Sequence, residues 1–125
     1  MPRERDAVYL WDMLKEARGV MRAVSGRTLE DYLADEDFRR SVERRIEIIG
    51  EGAARVSEEL RREHPEIPWR PIIDQRNVLI HAYDKVIAQR IWRLTLEDIP
   101  RLIEQLETLL PPLPESDVTK ERSPT

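Results

Sequence analysis

An all-α protein, an antiparallel bundle of four to five helices, is what this sequence predicts, and three observations carry that reading. Apolar residues recur at steps of three and four along most of the chain, the spacing of one helix face. No stretch alternates apolar and polar residues as a half-buried strand does. Composition agrees: 37% of residues are charged, 6% are aromatic and four are glycine, which suits solvent-facing helices better than a sheet. Long helices with short connections pack as an antiparallel bundle.

The elements follow in order. Ala7, Trp11, Leu14, Met21 and Val24 share one face of a first helix that stops near Ser25-Gly26. Thr28-Leu29-Glu30-Asp31 reads as a short capped turn. Phe38, Val42, Ile46, Ile49, Ala53, Val56 and Leu60 mark a second helix ending before His64-Pro65. Gly50 and Gly52 sit in its middle, where each costs about 1 kcal/mol against alanine, so close approach of another backbone is expected there. A third helix starts between residues 68 and 71, where proline is tolerated in a first turn, and continues to Ile87. Trp92, Leu96, Ile99, Ile103, Leu106 and Leu110 form the fourth, with a kink at Pro100 or a break at Thr95. Residues 1–110 make one helical domain. Residues 111–125, rich in proline and charge and without periodicity, make a tail expected to be disordered.

Other totals narrow the class. With no cysteine, neither a disulfide framework nor a thiolate metal site is available, which fits a cytoplasmic protein. The charged N-terminus has no leader pattern, and no apolar run is long enough for a membrane span. Net charge is −4, against broad electrostatic capture of nucleic acid but compatible with a local basic cleft.

Chemistry concentrates in Arg76-Asn77-Val78-Leu79-Ile80-His81-Ala82-Tyr83. On a continuous helix, Ile72, Ile73, Leu79, Ile80, Tyr83, Val86 and Ile87 all fall within about 80° of Arg76. An arginine and a phenol therefore lie near the centre of an apolar face, and such a charge has to be paired or open into a cleft. Asn77 and His81 are neighbours at i and i+4 on the other side. Two readings stay open on these residues alone: a structural ion pair with a surface histidine, or a catalytic set. Arg76 and His81 point about 140° apart on an ideal helix, so a catalytic set needs a long reach or a local departure from ideality.

Arg, four residues, His, one residue, Tyr resembles the motif of the HepT-like toxins of the HEPN class. Further stretches look like the same family: Ile46-Glu47-Ile48-Ile49-Gly50-Glu51, Ser57-Glu58-Glu59-Leu60, His64-Pro65-Glu66-Ile67-Pro68-Trp69, and Trp92 with Leu96-Glu97-Asp98-Ile99-Pro100. Ala82, Ile87 and Asp74-Gln75 depart from the common pattern without touching Arg76, His81 or Tyr83.

The resemblance implies a HEPN-like fold and a ribonuclease that needs no metal and no cofactor. A ribose 2′-hydroxyl attacks the adjacent phosphorus. His81, with an ordinary pKa of about 6.5, serves as acid or base, Arg76 stabilises the charged transition state, and Asn77 supports. One catalytic histidine per chain favours a homodimer joining two copies of the segment, which is also how HEPN domains generally assemble. His64, the other histidine, precedes Pro65 and reads as a helix-end residue. The resemblance further implies the toxin half of a type VII-like toxin–antitoxin pair, with Tyr83 as the residue to which a minimal nucleotidyltransferase antitoxin attaches AMP. Competing readings are a non-catalytic helical module that docks such a nucleotidyltransferase, and a helical dimer with no nucleic-acid role. Arg39, Arg40, Arg44 and Arg45 could guide RNA, but interspersed acids favour a solvated face. Trp11, Trp69 and Trp92 read as core or interface packing.

Overall fold

The computed structural model describes residues 3–79 and 84–111, except for the side chains of Arg76 and Asn77. Among these residues the chain forms α1 (Glu4–Val24), α2 (Leu29–Ala34), α3 (Glu36–Arg55), α4 (Glu58–Glu63), α5 (Trp69–Leu79) and α6 (Lys85–Leu109), and no strand. The fold is all-α, as expected, with six helices rather than four to five because two six-residue helices punctuate the long ones.

α3 is the organising element. It packs against both α1 and α5, while α6 packs on α1 and α2 bridges α3 and α6. The apolar pattern read for the second helix is buried throughout, Phe38, Val42, Ile46, Ile49 and Ala53 within α3 and Val56 and Leu60 beyond its end. α1 runs antiparallel to it. Gly52 lies against Met13, whereas Arg45, further back along α3, reaches Glu16 further along α1 at 2.8 Å. The glycines do what their cost demands. A Cβ on Gly50 would stand 2.9 Å from the Ile72 carbonyl oxygen of α5, and one on Gly52 would stand 2.8 Å from Met13 Cγ of α1.

Three boundaries differ from the periodicity. The second helix does not run to Leu60. Val56 is extended (φ −63°, ψ 140°), and Ser57 opens α4 by accepting a hydrogen bond from the Leu60 N–H. The cause is tertiary. Buried Asp6 of α1 accepts hydrogen bonds from the Ser57 N–H (2.8 Å) and hydroxyl (2.7 Å), holding that backbone out of helix while Val56 and Leu60 keep facing the core. The third helix does not reach Ile87. α5 is described to Leu79, and Asp84 is the extended N-cap of α6, its carboxylate accepting from the Val86 N–H at 2.8 Å. Val86 and Ile87 therefore belong to α6, and Val86 is 64% exposed instead of facing the core. No break occurs at Thr95, since α6 continues through both Thr95 and Pro100. Pro100 leaves the Leu96 carbonyl without its helical donor, at a residue exposed enough for water to serve.

The expected end of the first helix, the capped turn and the tryptophan packing stand, while the tail from residue 112 onward lies outside the described residues. α1 ends with Ser25 as its C-cap, and Thr28 with Asp31 forms a full capping box at α2. Trp69 and Trp92 are buried and Trp11 is partly buried against the core. Trp92, Tyr32 and Phe38 form an aromatic cluster with centroids 5.3–6.2 Å apart, which ties α6 to α2 and α3. Burial and the neighbouring Glu43 push the Tyr32 phenol well above its ordinary range, and burial raises Glu43 too, against the opposing charge of Arg39. Among the described residues, no helix is long and apolar enough to cross a membrane.

Candidate active site

α5 carries the first half of the chemical segment, and its placement is set at two points. At its start the Trp69 indole N–H donates to the His64 carbonyl at 2.9 Å, fixing the turn out of α4. At its second residue pair, the Ile72 carbonyl nests over Gly50. Arg76 and Asn77 then occupy the last turns of the helix as backbone. Ile80, His81, Ala82 and Tyr83 lie outside the described residues, and so do the side chains of Arg76 and Asn77. The chain is picked up again at Asp84, whose cap starts α6 and sends it back past α5.

Between α5 and α6 the surface is not closed. A cleft of about 190 Å³ is lined on the α5 side by Gln75 and Val78, the residues flanking Arg76 and Asn77, and on the α6 side by Arg90, Arg93 and Leu94. Beside it lies a larger, mostly apolar groove of about 370 Å³ among α3, α5 and α6, to which Ile46, Ile72, Leu94 and Leu102 contribute. Gln75 lines both, and its amide oxygen is buried without a hydrogen-bond partner among the described residues.

The cations near the cleft and those of α3 between residues 39 and 45 are engaged differently. Each arginine of the 39–45 stretch is engaged. Arg39 donates to the carbonyls of Tyr32 (3.1 Å) and Leu33 (3.0 Å), Arg40 pairs with Glu36, Arg44 with Glu47 and Arg45 with Glu16, the last three at 2.8 Å. That cluster is the self-neutralised face which its interspersed acids suggest. By contrast, Lys85, Arg90 and Arg93 of α6 are exposed and make no ion pair among the described residues. Sequence reasoning did not single them out. The available signal was their spacing: Arg90 and Arg93 stand three apart, just past the chemical segment.

His64 is the C-cap of α4, with its Nδ1 3.3 Å from Glu66 Oε2 and its carbonyl holding Trp69, which is the helix-end role expected of it. Among the described residues, no group of three or more His, Asp or Glu side chains could hold a metal ion.

The family model described as Ribonuclease HepT-like matches residues 13–109. A protein of Thermococcus cleftensis named "Probable ribonuclease HepT" is 37% identical over 101 residues, covering 81% of this chain and 92% of its own length. A Caldanaerobacter subterraneus protein, provisionally named an RNase, is 35% identical over 102 residues, 82% of this chain and 91% of that one. One from Methanocaldococcus jannaschii, named in the same provisional way, is 28% identical over 99 residues, 79% and 91% of the two chains. No solved structure matches.

Proposed function

The chain belongs to the HepT-like ribonuclease family, and from that membership we propose that it is the toxin of a type VII-like toxin–antitoxin pair, cleaving RNA without a metal ion. The observation that carries the reading is the coincidence of the family match over residues 13–109 with the uninterrupted Arg76-to-Tyr83 motif inside it. The open cleft beside Gln75 and Val78 supports it, because it leaves the flank of that motif reachable by a polymer.

In the proposed reaction a ribose 2′-oxygen bonds to the adjacent phosphorus as the bond from phosphorus to the 5′-oxygen breaks. The 2′-proton passes to one imidazole, and another imidazole protonates the departing 5′-oxygen. The products are a 2′,3′-cyclic phosphate and a 5′-hydroxyl. With one His81 per chain, acid and base come from the two protomers of a homodimer. Arg76 offsets the charge on the phosphorane-like transition state, and Asn77 supports the imidazole or a phosphate oxygen. Silencing is by a minimal nucleotidyltransferase that transfers AMP from ATP to the Tyr83 phenol and releases pyrophosphate. The added bulk and negative charge, two residues from His81, then exclude RNA.

The test uses the purified full chain. It is expected to cleave single-stranded RNA in EDTA and to lose that activity in a folded His81→Ala variant. The nucleotidyltransferase with ATP and magnesium should add the mass of AMP less water to the peptide containing Tyr83, with loss of cleavage, and Tyr83→Phe should escape both. Undiminished cleavage by His81→Ala, or a strict requirement for a divalent ion, refutes the mechanism. Modification and silencing of Tyr83→Phe refutes the regulatory role of that phenol.

A further inference from the structure

We propose that the exposed N-terminal half of α6, through Arg90 and Arg93 with Lys85 beyond them, is the track on which the phosphates of a single-stranded RNA are held as it enters the site. The proposal rests on the ribonuclease reading for its ligand but on separate residues for its evidence.

The first ground is electrostatic. On a chain of net charge −4, attraction for a polyanion has to come from cations whose charge is not already spent. The four arginines at positions 39–45 are spent, on carboxylates or on backbone carbonyls. Other exposed cations, Arg5, Arg22, Arg55, Arg70 and Arg101 among them, also make no ion pair among the described residues. Arg90 and Arg93, however, are the two cations that line the cleft between α5 and α6, and they too are unpaired among those residues, although Glu97 stands one turn past Arg93, the spacing at which a helical ion pair forms readily. Lys85 is likewise exposed and without a partner among the described residues.

The second ground is placement. Arg90 and Arg93 line the α6 wall of the cleft whose α5 wall is Gln75 and Val78, and Arg76 and Asn77 lie between those two in sequence on the same turn. A phosphate held at that wall is therefore within one helix spacing of the candidate catalytic segment. Glu97 and Asp98 also line the cleft, one turn further along α6. They repel phosphates from that end, so the strand is biased towards Arg90 and Lys85 rather than along the full helix. Exposed Val86, on the same face, offers an apolar contact for a base. A track that holds phosphates and presents one small apolar surface favours unpaired RNA, whose bases are free to turn outward.

The experiment compares two charge-matched double variants in a His81→Ala background, so that bound RNA stays intact. The probe is a fluorescein-labelled single-stranded RNA of mixed sequence, titrated at several salt concentrations. Arg90→Gln with Arg93→Gln should weaken binding about tenfold and make the log–log salt slope shallower by about 1.4, the loss of two single-strand phosphate contacts. Arg40→Gln with Arg44→Gln removes the same net charge and should change neither. Equal effects from both doubles would reduce the proposal to net charge and overturn it. It is also overturned if the α6 double shifts sedimentation to a smaller species at unchanged intrinsic RNA contact, since the face then joins copies of the chain. Absence of RNA binding by the parent overturns it too. The ribonuclease reading fails separately: if the chain with His81 intact binds RNA with an Arg90- and Arg93-dependent slope yet cleaves nothing, the track stands and the activity does not.

Discussion

α1 and α5 approach α3 from nearly opposite sides, each over a glycine. Gly52 and Gly50 are two residues apart, about 200° around the helix, so one admits α1 and the other admits α5. The two approaches are built differently. α1 meets Gly52 with a methionine side chain and also packs along α6, so that side is closed by Leu10, Met13, Ala17 and Leu106, all fully buried. α5 meets Gly50 with its own backbone carbonyl, and towards α6 it leaves two clefts, Ile72 and Val78 staying only half-buried. The closed side maintains the fold. The open side is where the proposed ribonuclease function gives a substrate access, and its geometry depends on one close backbone contact.

The sharpest way to break this comparison is to add one methyl group on each side. Gly50→Ala forces a Cβ to 2.9 Å from a carbonyl oxygen of a helix that cannot yield without moving. We expect a net loss of about 2–3 kcal/mol even after the helical gain of alanine over glycine, with RNA cleavage falling because α5 carries Arg76. Gly52→Ala meets Met13 Cγ, a side-chain rather than a backbone atom but in a fully buried residue that must shift, and should cost about 1 kcal/mol by urea unfolding, less than Gly50→Ala. Equal losses in the two variants would remove the distinction.

The next effect in size concerns the closed side alone. Asp6→Ala removes both hydrogen bonds to Ser57 and leaves a part-buried N–H without its acceptor, for an expected loss of about 2 kcal/mol. Thermal unfolding should report it, while RNA affinity of the folded protein should be unaffected. A weakened affinity would mean that the two sides are coupled through α4.

The smallest effect is one of pH. Burial raises the folded-state pKa of Glu43 above its ordinary 4.5, with Arg39 opposing. A raised carboxyl pKa means that the folded state holds the proton more tightly. The group therefore contributes stability below its unfolded pKa and loses it as pH rises through the folded value. Unfolding of Glu43→Gln compared with the parent should show the glutamine variant gaining relative stability between acid and neutral pH. A flat difference would show that Arg39, which lies 3.9 Å away, compensates fully.

The helical segments could be read from the chain because their cause is local. A face repeating at 3.6 residues needs no knowledge of what lies opposite it, and the core residues read for the second helix, Phe38 to Leu60, are buried residue for residue across α3 and α4. Gly50 and Gly52 were legible for a related reason: a glycine tolerated inside a long helix implies a close neighbour, though not which one. Membership in the HepT-like family was equally legible, since its motif lies in consecutive residues of one segment.

What tertiary structure decided is where local and distant demands compete. A face of apolar residues continues smoothly across Val56 and Ser57, but Asp6, fifty-one residues away in sequence, captures the Ser57 N–H and hydroxyl and ends the helix there. The pattern likewise runs on through Val86 and Ile87, yet the Asp84 carboxylate caps a new helix and turns Val86 to solvent. Charge shows the same division most clearly. Arg40 and Arg93 are the same residue type on exposed helical faces, each with a glutamate four residues away, and among the described residues only the first is paired. A residue's charge is a property of its side chain, but whether that charge is available to a partner depends on which other side chains the fold brings within about 4 Å, and no local pattern encodes that distance.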